Sequence, residues 1–73
     1  RITLYSKPGC HLCDRAKEVI ERCHADYQVV DISGNPDLEA CYGHAIPVIL
    51  LDGTEIARHF VRERNLLELL GKP

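Results

Sequence analysis

One short segment decides the fold, and it runs Ile2-Thr3-Leu4-Tyr5-Ser6-Lys7-Pro8-Gly9-Cys10-His11-Leu12-Cys13. Its first five residues alternate between apolar and polar side chains and favour a β-strand, Ile2–Ser6. Lys7-Pro8-Gly9 ends this strand, because proline and glycine interrupt regular structure. Two cysteines follow at once, where a helical pattern starts. The segment therefore contains a C-x-x-C motif that lies between the end of a predicted strand and the beginning of a predicted helix.

The residues after this motif have the periodicity of an amphipathic helix that extends from about Cys10 to His24. Charged side chains cover one side of this helix. The other side is predicted to face the core and carries Leu12, Ala16, Val19 and Cys23, with Cys13 and Ile20 beside them.

The middle of the chain predicts a second strand and a second helix. Tyr27–Ile32 is rich in strand-forming residues, and a loop follows it. Asn35 is a favourable N-cap and Pro36 suits the first helical position, so a short helix should begin here and end near Gly43. This strand–helix–strand order predicts that the first two strands are parallel.

The following segment predicts a β-hairpin. Val48–Leu51 is continuously apolar, as expected of a strand buried on both faces. Asp52-Gly53 is a strong signal for a two-residue turn, so Thr54–Arg58 should pair back as the last strand.

A final helix is predicted to end at Leu70, before Gly71. Its start lies between Val61 and Asn65, and Asn65 is one candidate cap. The full order predicts an α/β fold of the form βαβαββα. We expect a single domain, residues 1–73, because a chain of 73 residues has room for only one small core.

Composition narrows the possible functions. The net charge of -2 argues against a nucleic-acid-binding surface. The longest apolar run, Ile46–Leu51, contains Pro47 and is too short to cross a bilayer. No stretch near the first residue has the pattern of a signal peptide, so we expect a cytoplasmic location.

Four cysteines are present, and only two of them are predicted to be chemically active. A Cys10–Cys13 disulfide would close a very small loop, which stabilises a fold weakly and points to chemistry instead. Cys23 lies about 15 Å along the helix from Cys13, too far for a disulfide, and should be a buried apolar residue. Cys41 lies near the end of the second helix, where it could be exposed, but it is also expected to be structural.

The spacing of the motif suits a reversible disulfide with two unequal sulfurs. Residues i and i+3 of a helix have Cβ atoms about 5–6 Å apart, whereas a disulfide needs about 3.5–4.5 Å. A small adjustment therefore closes or opens the bond. Cys10 at the helix N-terminus should have a lowered thiol pKa and act as nucleophile, with Cys13 resolving the mixed disulfide. Lys7 could add positive charge beside the thiolate.

The segment Tyr5–Asp14 resembles the active-site segment of the glutaredoxins, in the compact form that carries Cys-His-Leu-Cys. Ile46-Pro47-Val48 is similar to the segment with the cis-proline that faces the cysteines in the thioredoxin superfamily. The resemblance implies a thioredoxin fold with sheet order 2-1-3-4, helices on both faces, and a cis bond before Pro47. It also implies that the Ile46 backbone pairs with a substrate peptide and that Lys7 contacts the glutathione carboxylate.

The sequence departs from both parent families. Glutaredoxins carry a Gly-Gly pair after the last strand, where this chain has Arg58–Glu63 without glycine. Thioredoxins carry a buried aspartate where this chain has Leu4. We expect a monomer that reduces protein or small-molecule disulfides without a tightly bound cofactor, with glutathione or a flavoprotein reductase as electron donor.

Two other functions compete with this one. Cys10 and Cys13 could hold zinc or an iron–sulfur cluster, in one chain or in a bridged dimer. Cys23 and His24 would be the further ligands of a zinc site within one chain, but they lie two to three helical turns away. The domain could also be an adaptor without catalysis that binds a partner beside Pro47.

The histidines leave further alternatives open. His11 either stabilises the Cys10 thiolate as an imidazolium or contacts partners from an exposed position. His24, His44 and His59 are expected to be ordinary surface residues, as Lys7 could also be.

Overall fold

The computed structural model describes residues 1–71, so the last two residues of the predicted domain lie outside the described part. The observed elements are β1 (Ile2–Ser6), α1 (His11–Arg22), β2 (Tyr27–Asp31), a 3-10 turn (Ile32–Gly34), α2 (Pro36–Tyr42), β3 (Val48–Leu51), β4 (Thr54–Arg58) and α3 (Glu63–Leu69). This order confirms the predicted βαβαββα arrangement.

The four strands form one mixed sheet in the order β2-β1-β3-β4. β1 and β2 are parallel, with Ile2 opposite Tyr27. β3 is antiparallel to both β1 and β4, and the β3–β4 register shifts between Ile49 and Leu50. This is the sheet order that the glutaredoxin resemblance implied.

The alternation of β1 places helices against both faces of the sheet. Ile2 and Leu4 are buried in a cluster with Ile20 of α1 and Leu66 of α3. The ring of Tyr5, on the opposite face, lies 5.0 Å from the ring of Tyr42 at the end of α2. Since successive side chains of a strand point to opposite faces, α1 and α3 share one face and α2 covers the other.

The buried side of α1 differs from the predicted one at its first turn. Cys13, Ala16 and Ile20 are its buried residues, whereas Leu12 is 36% exposed. The prediction that Leu12 faces the core is therefore wrong. Leu12 borders a surface groove with residues that follow β4, and Cys13 takes the core position at this end of the helix.

The final helix begins inside the predicted interval but without the suggested cap. Arg62 is its N-cap and makes no capping hydrogen bond through its side chain. Asn65 lies within the helix, so the candidate cap at Asn65 is wrong. Leu66 is fully buried and anchors α3 to the core. Within residues 1–71, no helix has the length and apolar character needed to cross a membrane.

Candidate active site

Cys10 occupies the N-cap of α1, just beyond the end of β1. Gly9 makes the turn before it with a φ of 80°, in the left-handed region that glycine tolerates best. Cys10 itself has extended backbone angles, and its Sγ accepts a hydrogen bond of 3.1 Å from the Cys13 N–H. The sulfur thus occupies the position where a capping side chain accepts from an unpaired N–H of the first turn.

Cys10 and Cys13 are joined by a disulfide, with their Cα atoms 5.2 Å apart. Cys10 is half-buried, whereas Cys13 is 1% exposed and packs into the interior. A molecule approaching from solvent would therefore meet the sulfur of Cys10 first. The structure thus brings together the two cysteines that were predicted to be active, and Cys10 is the more accessible to solvent.

The Ile46–Pro47 peptide bond is cis, as the resemblance implied. Pro47 is buried and Ile46 is half-buried. Tyr5 of β1 pairs with Val48 of β3, so the cis bond lies at the same end of the sheet as the loop that leads to Cys10.

The backbone of His59 holds this proline segment in place. The His59 N–H donates to the carbonyl of Pro47 at 2.9 Å and to that of Ala45 at 3.3 Å. His59 has a φ of 63°, which is uncommon for a residue with a side chain. His59, which was expected to be an ordinary surface residue, thus supports the proline segment through its main chain.

Lys7 is directed toward α2. Its ammonium forms an ion pair with the carboxylate of Glu39. Lys7 Nζ also lies 3.7 Å from the position that a Cβ atom on Gly43 would occupy. The predicted binding cation therefore already has an anionic partner within the chain.

Asp31 supplies a second carboxylate near Lys7. The Ser33 hydroxyl and the Ser33 N–H donate hydrogen bonds to it at 2.6 and 2.9 Å. These bonds, with a smaller contribution from the Lys7 charge, hold the pKa of Asp31 below its ordinary value of 3.8. Asp31 is consequently ionised at neutral pH.

A groove of about 210 Å³ lies on another side of the motif, between α1 and the segment after β4. Phe60, the one phenylalanine of the chain, borders it and is 70% exposed. Its lining also includes Leu12, Arg15, His59 and Val61. Sequence reasoning missed Phe60, although its place in the segment where glutaredoxins carry Gly-Gly was a usable signal.

The remaining cysteines lie outside this arrangement. Cys23 is buried at the end of α1, which confirms its predicted packing role. Cys41 is exposed near the end of α2, a helix without buried residues, so the expected packing role of its thiol is wrong. Among residues 1–71, no group of three or more His, Cys, Asp or Glu side chains is placed to hold a metal ion.

Comparisons with known proteins agree with this geometry. The family model described as Glutaredoxin-like domain (DUF836) matches residues 1–71. An uncharacterised protein of Mycobacterium bovis is 32% identical, in an alignment that covers 90% of this chain and 77% of that protein.

Two solved structures are similar in fold. The X-ray structure of XcR50 from X. campestris has a TM-score of 0.87 at 30% identity, covering 97% of this chain and 96% of that one. A buckwheat glutaredoxin–glutathione complex has a TM-score of 0.66 at 22% identity, covering 97% and 70%, a likeness of fold alone. With the family model matching nearly its whole length, this chain belongs to the glutaredoxin-like domain family.

Proposed function

We propose that this protein is a thiol–disulfide oxidoreductase that reduces disulfides by a dithiol mechanism. The observation that carries the proposal is the position of Cys10, which caps α1, accepts the Cys13 N–H and is more accessible than its disulfide partner. Backbone N–H groups at a helix N-terminus stabilise an anion, so they favour the thiolate form of Cys10 in the reduced protein.

The reaction begins from reduced Cys10 and Cys13. The Cys10 thiolate attacks one sulfur of the substrate disulfide, which breaks that bond, forms a mixed disulfide and releases the first substrate thiolate. Cys13 then loses its proton to solvent and attacks Cys10 Sγ. This step releases the second substrate thiolate and leaves the Cys10–Cys13 disulfide. The substrate has gained two electrons and the protein has lost two.

The proposal assigns substrate binding to the segment beside the cysteines. The backbone of half-buried Ile46 would pair with an extended substrate segment, and buried Pro47 would keep that edge in place. Lys7 is the third proposed contact, with its charge modified by Glu39. Substrates are protein or small-molecule disulfides, and the protein acts as a cytoplasmic monomer in electron transport without a tightly bound cofactor.

Two donors could return electrons to the oxidised protein. Glutathione is one, since it is the ligand in the buckwheat glutaredoxin complex named above. A flavoprotein reductase is the other, since a dithiol pair can be reduced directly by thiol–disulfide exchange. A coupled assay with glutathione and glutathione reductase, run beside one with thioredoxin reductase, separates them by NADPH consumption.

Cysteine variants test the mechanism itself. Cys10→Ser should abolish disulfide reduction, because it removes the attacking sulfur. Cys13→Ala should accumulate a mixed disulfide on Cys10, visible as an adduct by mass spectrometry under non-reducing conditions. Cys41→Ser is the matched control, since this thiol is exposed but outside the motif, and it should retain full activity.

Other results would contradict the proposal. Full reductase activity of Cys10→Ser would remove Cys10 from the reaction. Stoichiometric zinc or iron in protein purified under reducing conditions would favour the metal-binding alternative. Cellular function that survives Cys10→Ser would favour the adaptor.

A further inference from the structure

The loop between β1 and α1 carries a single cation, Lys7, and the structure pairs it with a carboxylate of α2. Residues 7–10 contain no other basic side chain. Lys7 forms its ion pair with Glu39 while both side chains are partly buried, at 29% and 40% exposure. The one negative charge of Glu39 cancels the one positive charge of Lys7 in the pair, and partial burial lessens the screening of this pair by solvent and salt.

A second carboxylate strengthens the same effect. Asp31 ends β2 and pairs in register with Ser6, the residue before Lys7. Its carboxylate is held by Ser33 and interacts electrostatically with Lys7. Glu39 is thus the carboxylate that pairs with the Lys7 ammonium, and Asp31, for which residues 1–71 show no ion pair with Lys7, adds a weaker negative charge.

We propose that Glu39 determines substrate specificity, by neutralising Lys7 so that the site prefers disulfides without negative charge near the sulfur. Anionic disulfides, of which oxidised glutathione is one, are the disfavoured class. This inference rests on the proposed reduction of disulfides through Cys10 and names its substrate class.

The physical basis is the encounter between the Cys10 thiolate and the incoming disulfide. The thiolate is itself negative, so an anionic disulfide is repelled unless a nearby cation offsets the charge. Lys7 is the cation of the loop, and Glu39 removes its net effect. Replacing Glu39 by an uncharged residue of the same shape would restore that attraction.

Single-turnover reduction of disulfides by the pre-reduced protein tests the inference. The probes are neutral dipyridyl disulfide and two anionic disulfides, dithiobis(nitrobenzoate) and oxidised glutathione. In every case Cys10 and Cys13 supply two electrons, and the products are the protein disulfide and two thiols. Stopped-flow absorbance measures the reduction of the two aromatic disulfides. Samples quenched at set times measure the reduction of oxidised glutathione.

We expect the reduction rate to change for the anionic disulfides alone. Glu39→Gln should raise their rate about three- to tenfold at low salt and change the dipyridyl disulfide rate by less than about twofold. The gain should shrink at high salt and disappear in the Lys7→Gln/Glu39→Gln double variant. Asp37→Asn removes an exposed carboxylate of the same helix, for which residues 1–71 show no ion pair, and should leave both rates unchanged.

The inference and the proposed function fail in different ways. Equal changes for neutral and anionic probes would show that Glu39 acts on the fold or on Cys10, and would overturn the specificity role. An unchanged anionic rate would also overturn it. If the unmodified protein reduces none of the probes, the reductase proposal itself fails.

Discussion

The two sides of the Cys10–Cys13 pair differ in the chemical character of their side chains. The Lys7 flank, consisting of Lys7, Asp31, Glu39 and Gly43, is charged, and its one cation is paired with Glu39. The Phe60 flank, consisting of Leu12, Arg15, His59, Phe60 and Val61, is mainly apolar and open to solvent.

The charges of the two flanks also differ in pairing. Within residues 1–71, Arg15 has no ion pair, whereas Lys7 is held by Glu39. One cysteine pair can thus have an ion pair on one flank and exposed apolar surface on the other.

The two flanks also differ in the backbone positions at which glycine is required or would be favourable. A Cβ atom on Gly43 would lie 2.5 Å from the Glu39 carbonyl oxygen, so the Lys7 flank requires a glycine there. His59 on the Phe60 flank has a left-handed φ that glycine would adopt with less strain. One flank thus depends on its glycine, and the other carries a side chain where glycine would fit better.

The largest effect should come from Gly43→Ala. The added methyl group meets backbone, so the end of α2 must move, at a cost of about 1–3 kcal/mol in the free energy of unfolding. Urea denaturation measures this loss. Gly34→Ala is the matched control, because the space around Gly34 is open and its φ is not left-handed, and it should change stability by less than about 0.5 kcal/mol. Equal losses in the two variants would contradict the steric explanation.

Much of the secondary structure could be predicted from local sequence, including the strand and the helix beside the Lys7 flank. Alternation identified Ile2–Ser6, Asn35 and Pro36 marked the start of α2, and Asp52-Gly53 marked the hairpin. These signals depend on neighbouring residues and on backbone propensities, which a single sequence shows. The cis bond before Pro47 came from the family resemblance, because few X–Pro bonds are cis.

The features that could not be predicted depend on contacts between distant parts of the chain. The Lys7–Glu39 pair joins the β1–α1 loop to α2, and nothing local to either residue indicates the other. The exposure of Leu12 depends on which turn of α1 the sheet covers. The role of the His59 backbone required the folded position of Pro47.

A smaller effect of opposite sign is expected from His59→Gly on the Phe60 flank. Glycine removes the steric cost of the left-handed conformation and keeps the N–H that donates to Pro47, while it adds freedom to the unfolded chain. The net gain in the free energy of unfolding should be about 0.5–1 kcal/mol by urea denaturation. His44→Gly makes the same chemical change at a position outside the left-handed region and should destabilise. A loss of stability in His59→Gly would show that the imidazole itself contributes packing.

The smallest expected effect is on the pH dependence of the free energy of unfolding, to which one carboxylate near each flank contributes. Hydrogen bonds from Ser33 lower the pKa of Asp31 near Lys7, and a hydrogen bond from Arg58 lowers the pKa of Glu55 in β4, the strand that leads into the Phe60 flank. A carboxyl whose pKa is lower in the folded state contributes stability above its unfolded pKa, and this contribution is lost as the pH falls through the folded value. Both contributions should therefore be complete at pH 7 and decline below a pH of about 4.

Single substitutions separate these two contributions. Asp31→Asn and Glu55→Gln should each reduce the fall in unfolding free energy between pH 7 and pH 3, measured by urea denaturation. Both carboxylates are exposed, so each reduction should be small. High salt should reduce the Glu55 contribution more, because its partner is a charged guanidinium, whereas Asp31 is held mainly by the neutral Ser33. An unchanged pH dependence in Asp31→Asn would mean that Asp31 has the same pKa in the folded and unfolded chain, as it would if its bonds to Ser33 persist on unfolding.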